Sequence, residues 1–223
     1  MKCVIAVAAL LLTLPVFGME EAELLAKIAK RQQQLDHYAV DMQIRVFGSS
    51  DSTADLTFPA LAVRSGPVML QEFQSFIVLM HPEMRIVVDR AERTIYLNAS
   101  RTEMPAQAAM DPVAALSKAR EAGYEMMADE GAGGITLRFT AASRPTYFLT
   151  FDAEDLQLQR MEMVAPQDAG GAAGRTVVSY TWHEAGESNA ERMKTSYYVE
   201  PSSGGWQPAP AFDGYRIVVS REN

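Results

Sequence analysis

Strict alternation of apolar and polar side chains, repeated across one short turn after another, restricts this chain to a fold made of antiparallel strands. Tyr147, Leu149 and Phe151 alternate with Thr146, Phe148 and Thr150, the period of two expected of a strand. Asp152-Ala153-Glu154-Asp155 supplies a turn whose side chains can bond the nearby backbone. Leu156 to Val164 returns, and Val177 to Trp182 forms a third run after a Gly/Ala-rich loop. These connections are too short for the crossovers that parallel strands need, so the strands form a meander.

The same pattern runs upstream. Tyr38, Val40, Met42, Ile44 and Val46 alternate with Asp41, Gln43 and Arg45. Further strands are predicted at Leu56–Arg64, Val68–Phe73, Phe76–Met80, Arg85–Val88, Thr94–Asn98 and around Ile135, Leu137 and Phe139. Pro59 cannot donate to a ladder and argues for an edge or a bulge. The final strands are expected at Thr195–Val199 and Tyr215–Val219, paired with each other. Ala169–Gly174 and Glu184–Arg192 read as loops, and Thr102–Met110 as an irregular segment.

Two helices complete the pattern. Glu20–Leu35 places Leu24, Leu25, Ile28 and Leu35 on one stripe, with acids at its start and Lys30 and Arg31 near its end. Asp111-Pro112 is a helix start, with Val113 and Leu116 inward and Gly123 as the carboxyl-terminal cap.

Composition narrows the function. The net charge of −8 and pI of about 5.0 leave no basic footprint for nucleic acid. Lys2, the apolar run Val4–Leu14 and Pro15–Gly18 read as a secretory signal peptide, residues 1–18, ahead of a single domain at 19–223. The single cysteine, Cys3, falls within that peptide, so the mature chain is expected to carry neither a disulfide nor a lipid anchor. No later run is long enough for a membrane span, which predicts a soluble, exported product.

Catalytic and metal motifs are missing from the sequence. His37, His81 and His183 lack metal-ligand spacing, and no strained nucleophile turn is present. Ala169–Gly174 lacks the Lys-Ser/Thr of a phosphate loop, and Glu154, Asp155 and Glu162 read as solvated carboxylates. No cofactor is expected.

The apolar residues are more informative. Met42, Met69, Met80, Met161 and Met163 fall on strands, where methionine either fills a core or forms a pliable lipid-binding surface. Several strands are apolar on both faces: Phe148 opposes Tyr147, Leu149 and Phe151, and Val177 opposes Val178, Tyr180 and Trp182. Two modest helices cannot cover so much apolar surface, which predicts a cavity. Its candidate lining is Met42, Ile44, Met69, Met80, Leu149, Phe151, Met161, Met163, Tyr180 and Trp182, with Val113 and Leu116 on a gating helix.

The order helix, meander, short helix, meander resembles the periplasmic outer-membrane lipoprotein carrier (LolA-like) family. So do the segments Phe148–Asp152 with Leu156–Met163, and Arg85–Asp89 with Thr94–Leu97. The resemblance implies an α+β fold, an incomplete antiparallel β-barrel of about ten to eleven strands with helices over its concave face. It implies a non-enzymatic carrier or sensor in the periplasm that binds an acyl chain, lipid or lipoprotein and meets a membrane-associated donor or acceptor protein. The family's strand-end arginine falls on Arg64, where Ser65 replaces the usual proline, and the resemblance gives Arg64 a lid-locking role. Asp89-Arg90-Ala91 stands in place of the family's Asp-Gly-Lys turn. Two competing readings are a protein-interaction module with a filled core, and a hydrolase, which would need a cluster of catalytic groups.

Overall fold

The computed structural model describes residues 17–48, 53–98, 119, 121–131, 133–166 and 174–220, the side chains of 17–22, 32 and 33 excepted. Helix α1 (Phe17–Gln33) comes first, followed by a run of six strands. These are β1 (His37–Phe47), β2 (Leu56–Ser65), β3 (Val68–Phe73), β4 (Phe76–Met80), β5 (Arg85–Asp89) and β6 (Thr94–Asn98). A second run contains β7 (Glu125–Gly131), β8 (Gly134–Thr140), β9 (Thr146–Phe151), β10 (Leu158–Val164) and β11 (Arg175–His183). A carboxyl-terminal wrap follows: the one-and-a-half-turn helix α2 (Glu187–Arg192), a hairpin of β12 (Val199–Ser202) with β13 (Gly205–Pro208), and β14 (Arg216–Ser220).

Twelve strands form one curved, unclosed sheet in the order β14-β6-β5-β4-β3-β2-β1-β11-β10-β9-β8-β7. The two meanders join where β1 pairs antiparallel with β11, Met42 opposite Tyr180 and Ile44 opposite Val178. Short turns set the register. Gly66 adopts φ 55° between β2 and β3, and Asp89 Oδ1 accepts the backbone N–H of Ala91 and Glu92 at 3.0 and 3.1 Å in the β5–β6 turn. Gly134 opens β8 at φ 118°, and a Cβ there would lie 2.1 Å from the Phe151 carbonyl oxygen. Only glycine lets β8 approach β9 this closely.

The register also reveals two cores on opposite faces. Cross-strand partners share a face, so Leu137, Leu149, Met161, Val178 and Ile44 form one row beneath α1. Ala39, Val63, Leu70, Leu79, Ile86 and Leu97 form another row on the other side. The wrap covers this second row, where Tyr198, Val199, Met193 and Phe212 complete a tightly filled core. Strand β1 lies between the two, so Tyr38, Ala39 and Val40 are all buried although they alternate in direction.

Several expectations need correction. Helix α1 starts three residues earlier and ends two earlier than predicted, and it begins two residues before the expected mature start. Pro59 lies in an interior strand, but beyond the end of β3, so it has only β1 beside it. Strand β7 was not anticipated. It is a largely exposed edge without apolar alternation. The stretch read as a loop at Glu184–Arg192 contains α2. Thr195–Val199 and Tyr215–Val219 do not pair: Thr195–Tyr197 is a 3-10 turn, β12 pairs with β13, and β14 pairs parallel with β6. A local hairpin and the aromatic contacts of the wrap outweighed the propensity of these runs to pair with each other.

Gly123 does cap a helix. It adopts φ 81°, and Tyr124 N–H donates to the Ala119 carbonyl at 2.9 Å. The expected helix start at Asp111, Val113 and Leu116, and the segment Thr102–Met110, lie outside the described residues.

Candidate ligand cavity beneath helix α1

A cavity of about 300 Å³ lies between α1 and the sheet. Leu25 and Ile28 of α1 form its roof, and Leu137, Phe139, Leu149 and Met161 of β8–β10 form its floor. Tyr147 and Phe151 of β9, with Ala119 and Tyr124 ahead of β7, complete the described lining. All ten side chains are apolar or aromatic, and the only polar groups on them are two phenols.

Sheet and helix present unequal surfaces, which accounts for the space. Leu25 and Ile28 are 6% and 1% exposed, and among the described residues they are the two α1 side chains that line the cavity against six from the strands, with Leu24 packed at the cluster's margin. Ala29, the buried residue beside them, is too small to fill the rest. Tyr147 and Leu149 therefore remain half-buried in mid-strand.

The cavity's two ends are built differently. At the Phe151 end, Arg31 Nε donates to the Asp155 carbonyl at 3.1 Å, tying α1 to the β9–β10 turn. At the other end, the rings of Tyr124 and Tyr147 are 5.9 Å apart, and the Arg144 guanidinium lies 6.0 Å from the Tyr124 ring centre.

All ten residues expected to line a cavity face the α1 side, as the register requires. Leu149, Phe151 and Met161 line the cavity. Met163 sits one rung away, opposite Tyr147. Met42, Tyr180 and Trp182 belong to a separate cluster with Tyr38 and Val40, in which the Tyr38 and Trp182 rings are 5.2 Å apart. Trp182 Nε1 donates to the Leu158 carbonyl at 2.8 Å, and burial pushes the Tyr180 phenol up to about 12. Burial also raises Tyr38, with Arg64 opposing it. Ile44 lies between Phe58 and Val178, and Met69 pairs with Met80 across β3–β4. Arg64 is 3.8 Å from Asp36 and donates from Nε to the Gly66 carbonyl at 3.2 Å.

Seven lining residues were not on the expected list. Leu137, Phe139 and Tyr147 share a face with Leu149 and could have been found from the register. Leu25 and Ile28 were recognised only as the helix stripe. Ala119 and Tyr124 flank a helix end and an edge strand with no apolar period to mark them.

The reverse face of the same strands is built differently. Phe148 borders a hollow of about 220 Å³ there with Thr136, Thr150, Arg160 and Glu162, so its surroundings are polar and charged rather than apolar. One row across five strands reads Arg45, Val177, Glu162, Phe148, Arg138. The Arg138 guanidinium lies 5.7 Å from the Phe148 ring centre, and Val177 is 1% exposed. Long arginine stems shield apolar side chains while their heads stay in water.

A wider groove of about 770 Å³ lies between the sheet end and the start of the wrap, bordered by His37, His81, Glu83 and Lys194. His37 Nδ1 is 3.0 Å from Ser65 Oγ, but no described carboxylate hydrogen-bonds the ring, so the third group of a triad is missing. Among the described residues no three metal-binding side chains converge.

No protein-family profile and no curated protein matches the chain. Several solved structures are similar to it. One is an uncharacterized conserved protein from Thermus thermophilus, at 9% identity over 90% of this chain and 99% of that one, with a TM-score of 0.48. Another is a LolA superfamily protein from Nitrosomonas europaea, at 10% identity over 79% and 98% of the two chains, with a TM-score of 0.37. A putative outer membrane lipoprotein-sorting protein domain from Vibrio parahaemolyticus matches at 9% identity over 78% and 97%, with a TM-score of 0.33. The solved structures to which this chain is similar thus include LolA-superfamily and lipoprotein-sorting proteins.

Proposed function

We propose that the protein is a non-enzymatic carrier or sensor that holds an acyl chain of a lipid or lipoprotein between α1 and strands β8–β10. One observation carries the reading: a cavity of about 300 Å³ with no charged side chain among its described lining. Its size is at the small end of ligand sites, which run from about 300 to 1,000 Å³. It suits a length of hydrocarbon rather than a whole membrane lipid. Each buried methylene contributes about 0.8 kcal/mol, so about ten give a gross 8 kcal/mol before ordering costs. Binding therefore needs no charged partner for its strength.

The sequence resemblance implies the same class of ligand. With the export signal read at residues 1–18, the carrier would work in the periplasm and exchange its cargo with a membrane-associated donor or acceptor. Among the described residues no helix is long and apolar enough to cross a membrane.

Native mass spectrometry of protein purified from its own host should detect bound lipid. Delipidated protein should take up a fluorescent fatty-acid probe, and Leu149→Trp, which fills the cavity, should abolish uptake. A delipidated wild-type protein that ignores the probe would sink the proposal.

A further inference from the structure

An apolar wall holds a chain but does not specify its head group. The charged groups at the two ends of the cavity do. At the Phe151 end, local bonds occupy the turn carboxylates. Asp152 Oδ1 accepts the N–H of Glu154 and Asp155 at 2.8 and 3.2 Å, and its Oδ2 accepts Gln159 Nε2 at 2.8 Å. Asp155 Oδ1 accepts the Gln157 N–H at 2.9 Å.

The other end has a cation with no ion pair among the described residues. The β8–β9 turn closes the rung between Phe139 and Tyr147, both cavity walls, and Arg144 projects from that turn. Its guanidinium rests near the ring of Tyr124, a third wall. Arg144 is exposed and forms no ion pair among the described residues. Glu121 and Glu125, the acids nearest Tyr124 in sequence, do not pair with it. A guanidinium seated against an aromatic ring keeps its N–H fork available to a carboxylate or phosphate.

We propose that this end of the cavity binds the head group of an anionic amphiphile, with Arg144 and the phenols of Tyr124 and Tyr147 as donors. The chain would run along Leu149 and Leu137 toward Phe151. This inference rests on the acyl-chain reading above and narrows its ligand class to lipids with a carboxylate or phosphate head.

The test is displacement of a fluorescent fatty-acid probe by oleate, oleyl phosphate and oleyl alcohol, from the wild type, R144Q and R144K. A charge-assisted hydrogen bond at an exposed rim is worth about tenfold in affinity. R144Q should therefore weaken oleate and oleyl phosphate by about tenfold and leave the alcohol unchanged, with R144K recovering most of the loss. A response confined to one anion would support the inference and identify the head group. Equal weakening of all three ligands, or of none, would overturn it while leaving the acyl-chain reading intact. If the delipidated wild type takes up no probe, both readings fall; if it takes up the probe but neither anion displaces it, this inference alone falls. Thermal unfolding of each variant provides the folding control.

Discussion

The two halves of the sheet use similar apolar strands to opposite ends. Strands β2–β6 bury one face under a wrap rich in interlocking rings: Tyr197, Tyr198, Phe212 and Tyr215 lie with centroids 5.0–5.9 Å apart. Tyr198 donates its hydroxyl to the Arg192 carbonyl at 2.8 Å, and its burial pushes the phenol's pKa upward. Among the described residues, strands β8–β10 bury the other face mainly under the narrow aliphatic stripe of α1, with Ala119 and Tyr124 beside it, and space remains. What decides between core and cavity is the cover, not the strands. Broad rings that pack edge to face close a surface, while a narrow aliphatic stripe on a cylinder leaves it partly open.

Matched truncations would sharpen this contrast most. Leu79→Ala in the filled core should cost about 4 kcal/mol, and Leu149→Ala beside the existing space about 2 kcal/mol or less, in urea unfolding. Equal costs would mean that the α1 side is packed as tightly as the other. Enlargement reverses the test. Leu79→Trp should destabilise by about 1–3 kcal/mol, whereas Leu149→Trp should change stability by less than about 1 kcal/mol, because space already exists.

A smaller effect separates the halves by pH. Glu72 pairs with Arg90 at 2.7 Å and with Arg192, joining the sheet to the wrap. Burial works to raise its pKa, but the hydrogen bond and charge of Arg192, with those of Arg90, outweigh burial and hold it below the usual range. The bridge is therefore complete at neutral pH. Its contribution starts to fade near the unfolded carboxyl value of about 4.3 and is lost as pH falls through the lower folded value. Glu72→Gln should cost about 1–2 kcal/mol at pH 7 and flatten that acid limb. The two tryptophans report on the two regions separately, Trp206 in the wrap hairpin and Trp182 on the α1 face. Acid should shift Trp206 emission first, and simultaneous shifts would contradict a selective weakening of the wrap.

The least expected effect is alkaline. With its folded pKa near 12, Tyr180 stays neutral after unfolded-chain phenols ionise near 10, so its contribution is lost as pH rises between those values. Phenolate absorbance should show the buried tyrosines Tyr38, Tyr180 and Tyr198 titrating late, and Tyr180→Phe should reduce that late step by one phenol.

Period two and turn chemistry made nearly every strand from β1 to β11 readable, because each is paired with a close sequence neighbour and half-buried. Alternation cannot say which of the two faces is covered, however, so the exchange of cores at β1 was invisible. Tyr38, Ala39 and Val40 read as one buried and one open face, yet both are covered. Strand β7 escaped because Glu125–Gly131 is a largely exposed edge on which Met126 alone packs against the core, so no apolar period repeats. Helix α2 has no buried residue and therefore no stripe. The cavity was only partly legible. Periodicity put all ten candidate residues on the α1 side, but where along that side the cover thins depends on helix placement, and three of the ten line the cavity.

The parallel docking of β14 affects how the molecule assembles. Arg216 reaches Thr94 across 122 residues, so the free backbone of β6 waits for a segment far along the chain. Until that segment arrives, β6 presents an open ladder, Thr94 to Asn98, able to recruit any extended peptide nearby. A chain cut short before Arg216 would keep that ladder open permanently and should polymerise, even with the α1 cavity fully formed.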